Sequence, residues 1–249
     1  MQRNNFNYIG EPIRPPAEAD SAIVQATIGC PHSCEFCGAY RRVSYSIRSD
    51  ENFRKHLEWL SCVDDSSKNR IFFADGDTMI LSTEKLLNFI SNTQEFFPSA
   101  KRFSLYSGAG GIINKSISEL ESLKRAGLNT FYMGLESGAE EILHRVKKAC
   151  TATEMIEAVK KAQSAGIRAS VIVILGLGGQ DFSKAHIHET ALTLNLMQPR
   201  LLSALTLMLV PNTPLYKSAQ EGMFQLPDAN GILLELQQLI EELELERTV

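Results

Sequence analysis

A chain of 249 residues, 44% of them hydrophobic, can bury a full core and falls in the size range of one α/β barrel-type domain. Its formal charge is −4, and its Lys and Arg residues are spread without a basic arm or stripe, which argues against nucleic acid as the main partner. The polar start "MQRNNFNYIGEPIRPP" is not a signal peptide, and the most apolar runs, 171–179 and 201–210, are too short to cross a membrane, so a cytoplasmic protein is expected.

Residues 1–20 read as an extended lead-in arm, kept out of a helix by Pro12, Pro15 and Pro16. From residue 21 onward, short apolar runs alternate with amphipathic stretches. The runs at 22–28, 70–74, 102–107, 130–136, 169–176 and 202–210 have the near-continuous hydrophobicity of parallel strands covered on both faces. Three capping-box patterns, Ser116 with Glu119, Ser137 with Glu140 and Thr151 with Glu154, mark helix starts between them. Pro214 suits the first turn of another helix. The similar stretches "RAGLN" and "SAGIR" place Gly127 and Gly166 as left-handed helix exits.

Six strand–helix units predict an α/β fold: an open, partial (β/α)6 TIM-type barrel of parallel strands, with 21–249 as one core domain. Eight such units close a barrel; six leave one side open. The final amphipathic helix shows no evident packing partner beyond it, so the chain reads as a piece of a slightly longer protein.

The first strand runs into "IGCPHSCEFCGAY", which places Cys30, Cys34 and Cys37 within eight positions. Cysteines this close are poorly placed for a disulfide framework, and in a reducing compartment they read as metal or cluster ligands. Cys62 and Cys150 are isolated and read as small core or helix-end residues. Thiolates select zinc, copper(I) or iron–sulfur clusters. Structural zinc wants four protein ligands, and the nearby fourth candidate, His32, sits too close within the loop for a comfortable tetrahedron. A [4Fe–4S] cube held by three cysteines leaves one iron open to a small molecule.

Cys-x3-Cys-x2-Cys at a strand end, with aromatic Phe36 before the last cysteine, resembles the radical S-adenosylmethionine enzymes, in particular their coproporphyrinogen-oxidase-like and elongator-like members. The resemblance covers nearly the whole chain. It implies a [4Fe–4S] cluster on Cys30, Cys34 and Cys37 whose open iron binds S-adenosylmethionine. It also implies reductive cleavage to a 5′-deoxyadenosyl radical, which takes hydrogen from a small-molecule substrate, and an electron donor of flavodoxin or ferredoxin type. A monomer is expected.

The later motifs fall where that family has its own. Asp75-Gly76-Asp77 stands in place of a Gly-Gly-Glu-like segment that receives the methionine amino group; a solvated turn is the bland alternative. Ser107, in "YSGAGG", is a candidate for the cofactor's polar groups or a flexible-loop residue. Glu136, in "GLESG", suits a ribose diol. Lys148, twelve residues on, suits the methionine carboxylate, with Arg145 as fallback and a solvated helix end as the alternative. Gly176, Gly178 and Gly179 resemble the glycine-rich strand ending that lies against adenine, and the backbone around Leu209 and Val210 would meet the adenine edge. His186 and His188 do not share a helix face and read as surface residues. A second class remains open, a cysteine-stapled zinc or iron–sulfur binding protein without turnover. An ordinary metal-free barrel enzyme would leave the three cysteines unexplained.

Overall fold

The computed structural model describes residues 7–249; residues 1–6 of the expected arm lie outside the described residues. In chain order the elements are β1 (Ala22–Gln25), β2 (Thr27–Ile28), β3 (Ser46–Ile47), α1 (Asp50–Val63), β4 (Arg70–Ala74), α2 (Thr83–Phe96), β5 (Arg102–Tyr106) and α3 (Ala109–Ile113). There follow α4 (Ile117–Ala126), β6 (Leu128–Glu136), α5 (Glu140–Arg145), α6 (Ala152–Ser164), β7 (Arg168–Leu175), α7 (Gly179–Met197), β8 (Leu201–Thr206), α8 (Pro214–Gln220) and α9 (Ala229–Glu242). Six strands form one parallel sheet in the order β1-β4-β5-β6-β7-β8. With helices packed on its outer face, this sheet is an open, partial (β/α)6 barrel.

The hydrophobic runs become strands because alternate side chains meet two apolar layers. Ile71, Phe73, Phe103, Leu105, Phe131, Met133, Val171 and Val173 point outward into the core shared with the helices, against Phe53, Leu57, Phe89, Leu120 and Met155. Phe72, Ala74 and Tyr132 point inward and fill the lumen with Ile23 and Tyr106. Each fully buried large side chain contributes about 1.5–3 kcal/mol of transfer free energy.

Two expected strands differ from the structure. The run 22–28 splits, because Thr27 and Ile28 leave the sheet and pair antiparallel with Ile47 and Ser46. The cysteine segment is therefore the long loop of a small hairpin. The run 202–210 shortens to end at Thr206, which lies opposite Leu175, the last residue of β7. Ser116 and Thr151 form complete capping boxes. Ser137 does not, because its hydroxyl is turned to His186 and the first turn of α5 follows Ala139. Gly127 and Gly166 take the left-handed conformation at φ 118° and 79°, where a side chain would be strained.

β1 and β8 are the sheet's two edges, and the barrel is open between them. The arm lies along β1. Tyr8 donates to Ile23 O at 2.7 Å, Arg14 donates to Ser21 O at 2.8 Å, and Ile9 exchanges two bonds with the Gln25 amide. Farther along, Glu18 enters the foot of the barrel. It accepts from Tyr132 Oη at 2.7 Å, from Ser21, and from Arg70 at 3.2 Å. The last helix has a partner after all: α9 packs on α7 and β7, burying Leu239 and Glu235. Beyond it, Val249 donates to Arg200 O and accepts from Leu202 N, the pattern of a parallel bridge to β8. Among the described residues no helix is long and apolar enough to cross a membrane.

Candidate active site

The cysteine loop spans the mouth of the barrel and is tied down on several sides. Gly29, at φ 73°, donates its N–H to Asp75 Oδ2 at 2.9 Å. Arg41 reaches back across the loop and donates to the carbonyls of Cys37, Cys34 and Glu35 at 2.9, 3.0 and 3.3 Å. Glu35 bonds through its backbone to Val146 and Leu215, and its carboxylate pairs with Lys147 at 2.7 Å. The loop is thus framed by the ends of α5 and α8.

Cys30, Cys34 and Cys37 line one cavity of about 330 Å³, within the range of about 300–1,000 Å³ typical of small-molecule sites. They also line a smaller cavity of about 220 Å³ with His32, Tyr40 and Arg41. Burial pushes the Cys30 thiol up to about 11 and raises Cys34, so a metal must displace protons to bind here. Among the described residues no three His, Cys, Asp or Glu side chains converge as a ready single-ion site; the three thiols share a cavity wall. His32 is engaged with Asp77 Oδ2 at 3.0 Å.

The end of β4 supplies Asp75, Gly76 and Asp77. Gly76 lines the main cavity, and a Cβ built there would sit 2.4 Å from Cys30 Cβ and 2.6 Å from its sulfur. Only glycine admits Cys30 at this distance. The flanking carboxylates each use one oxygen on the frame: Asp75 Oδ2 accepts from Gln25 and Gly29, and Asp77 Oδ2 meets His32. Asp75 Oδ1 and Asp77 Oδ1 are buried without a partner, and burial raises the Asp75 carboxyl. Two orphaned acceptors beside a cavity-lining glycine suit an N–H donor or cationic ligand.

The end of β6 is built differently. Its register with β7 shifts between Gly134 and Glu136, and Glu136 takes φ 63°. Its carboxylate folds back over Gly134, where a Cβ would lie 1.9 Å from Oε1. There Glu136 accepts from Lys148 Nζ at 2.9 Å, and both line the main cavity. Burial pulls the Lys148 ammonium down, but Glu136 and Cys34 outweigh it and raise the group overall. Arg145 lies elsewhere, paired with Glu141 at 2.9 Å and stacked 4.0 Å over the Phe182 ring.

Phe36 and Ser107 also line the cavity, Ser107 with its hydroxyl on Gly108 O at 2.8 Å. The glycines after β7 do not. A Cβ at Gly176 would meet Ile232 at 2.8 Å, at Gly178 it would meet His186, and at Gly179 it would meet Phe224. Gly176 and Gly179 give room to the C-terminal segment, Gly178 to α7 itself, and Gly176 N–H donates to the buried Glu235 at 2.6 Å. Leu209 packs with Phe36 in an apolar cluster beside the cavity, and Val210 packs against Gly38.

Sequence reasoning missed several residues. His186 is not on the surface but 1% exposed. Its Nε2–H donates to Ile174 O at 3.0 Å and its Nδ1 accepts from Ser137 at 2.8 Å. Burial lowers it to about 4. His188 does lie at the surface, against Glu242. Cys62 is exposed at the end of α1, whereas Cys150 lines the main cavity beside Lys148. Arg41, Gln25, Ile13 and Tyr132 were also unmarked; the Arg41 signal was a cation four residues past the last cysteine.

A model of the Radical SAM superfamily matches residues 24–191 of this chain. The chain is 23% identical over 214 residues to the heme chaperone HemW of Buchnera aphidicola subsp. Schizaphis graminum, covering 82% of this chain and 54% of that protein. It is 22% identical over 204 residues to the HemW of Bacillus subtilis, covering 80% and 53%. It thus spans about half the length of these curated relatives. In structure it is similar to coproporphyrinogen III oxidase (HemN) from Escherichia coli, with a TM-score of 0.65 and 18% identity over 89% of this chain and 51% of that one.

Proposed function

Because this chain belongs to the radical SAM superfamily, we propose that it is a radical S-adenosylmethionine enzyme with Cys30, Cys34 and Cys37 as the three ligands of a [4Fe–4S] cluster. The observation that carries this reading is that the three thiols and the Glu136–Lys148 pair line one cavity. When bound, the cluster and S-adenosylmethionine supply a one-electron cleavage that yields a 5′-deoxyadenosyl radical able to take hydrogen from substrate.

The chain's own groups bind, orient and shield. The loop frame of Arg41, Asp75 and Glu35 holds the thiols in place. The Asp75–Asp77 segment offers Gly76 on the wall and two unused carboxylate oxygens for the methionine amino group. Glu136 is assigned to the ribose hydroxyls and Lys148 to the methionine carboxylate. Ser107, Phe36 and, through the apolar cluster both it and Phe36 pack against, Leu209 shape the wall; Gly176 acts behind it by admitting the C-terminal segment. The proposed core domain is 21–249, led by an arm of which 7–20 are described. A cytoplasmic monomer served by a flavodoxin- or ferredoxin-type donor completes the reading, in keeping with five unpaired thiols.

Anaerobic reconstitution, reduction with dithionite and assay for 5′-deoxyadenosine test it. Reduced protein with a full cluster that forms none would overturn the enzymatic reading. Wild-type-like iron content in a triple Ala variant of the cysteines would overturn the ligand assignment. The names of the two curated relatives favour a second reading, heme carriage. A saturating, stoichiometric Soret change on hemin titration, without 5′-deoxyadenosine formation, would support it instead.

A further inference from the structure

The main cavity has two unlike halves. Its thiols, its imidazole and its charged pair come from the cysteine loop, the end of β6 and the segment after α5: Cys30, Cys34, Cys37 and His32, then Glu136, then Lys148 and Cys150. The other half is walled by Ile13, Tyr106, Tyr132, Ile172, Ile174 and Leu205, whose polar side-chain atoms are two uncharged phenol hydroxyls, that of Tyr132 already donated to Glu18. No charged side chain lines that half. The Glu18 carboxylate lies behind Tyr132 and is already engaged by Tyr132, Ser21 and Arg70.

Ile13 and Leu205 are 41% and 49% exposed, yet both line the cavity. They belong to the arm and to β8, on opposite sides of the gap in the sheet. The cavity therefore opens sideways between the arm and β8, through an apolar rim. A charged group entering there would lose its water and find no charged partner, a large cost. An apolar group would gain in proportion to the area it buries.

We propose that the substrate presents an uncharged, largely apolar group, aliphatic or aromatic, to this half of the cavity, entering between the N-terminal arm and β8. This rests on the reading above, in which the polar half is taken by S-adenosylmethionine. Charged parts of the substrate stay outside the rim.

The probe is N-phenyl-1-naphthylamine, an uncharged fluorophore whose emission rises in apolar surroundings, titrated into the full chain after cluster reconstitution. The expected result is a saturable rise that weakens at least tenfold in Ile13→Asp and in Leu205→Asp. It should also weaken in the uncharged Leu205→Asn, and stay unchanged in Leu234→Asp, at an exposed position of α9. Calorimetric titration of S-adenosylmethionine into the same samples shows whether the site is formed in each. No saturable signal, or equal affinity across the rim variants while S-adenosylmethionine still binds, overturns the proposal and leaves the enzyme reading standing. The expected probe pattern without S-adenosylmethionine binding supports the apolar chamber and removes the enzyme reading.

Discussion

The ends of β4 and β6 both present a glycine beside a carboxylate, and they use the two residues in opposite ways. At β6, Gly134 is empty space that lets the Glu136 carboxylate fold into the cavity and meet Lys148. At β4, Gly76 is empty space for another segment, the Cys30 side chain, while Asp75 turns back to hold Gly29 and Gln25. The carboxylate at β6 is part of the cavity wall; at β4 it is part of the frame beneath the cysteine loop. The difference follows from the bulge at Gly134–Glu136, which re-aims the side chain.

The sharpest test of this contrast is Gly76→Ala. Its Cβ would fall 2.6 Å from the Cys30 sulfur, so most bound iron and sulfide should be lost on reconstitution. Gly134→Ala should leave iron content close to normal, and equal iron loss in both variants would erase the distinction. Next in size is an acid effect confined to the β6 side. His186 is lowered from 6.5 to about 4 in the fold, so the unfolded chain takes up its proton first as pH falls. The stability it carries is complete above pH 6.5 and is lost between 6.5 and 4, in total about 3 kcal/mol. Urea unfolding at pH 7, 5.5 and 4.5 should show a correspondingly shallower decline in His186→Gln, and an unchanged slope would remove His186 from the account.

Third, Glu136→Gln should weaken S-adenosylmethionine binding by about 1.5–3 kcal/mol, the scale of a charge-assisted hydrogen bond. Gly134→Ala should weaken it at least as much, because it displaces the same carboxylate. Calorimetry on the two variants checks this, and tight binding in Gly134→Ala would show that the position of Glu136 over the strand is unimportant. The smallest effect belongs to Asp75→Asn. Its remaining oxygen still accepts from Gly29 and Gln25, and Asp77 Oδ1 remains to take the ligand's N–H, so affinity should fall by about threefold, roughly 0.6 kcal/mol. A loss matching that of Glu136→Gln would mean the two strand ends do the same job.

Most of the sheet was legible because its strands are buried on both faces and their runs stand out against amphipathic helices. Thr27 and Ile28 were not distinguishable from β1, since nothing local says that the chain leaves the sheet there. The cysteine spacing could be read directly, and Glu136 and Lys148 were both marked, but not that they would pair with one another. The glycines after β7 misled for a physical reason. A glycine signals only that something comes close, and what approaches Gly176 is Ile232, far along the chain. His186 hid in the same way, because its burial depends on Ser137, 49 positions earlier.

The attachment of Glu35 has a consequence for biosynthesis. The cysteine loop leaves the ribosome well before the segments that hold it. Val146 and Lys147 follow Glu35 more than 100 residues later, and Leu215, whose N–H closes on Glu35 O, follows 180 residues later. A nascent chain that has not reached residue 215 carries three thiols without their completed scaffold. The scaffold of the cysteine loop is therefore completed only after residue 215 has emerged, and the three thiols are at greatest risk of oxidation before then.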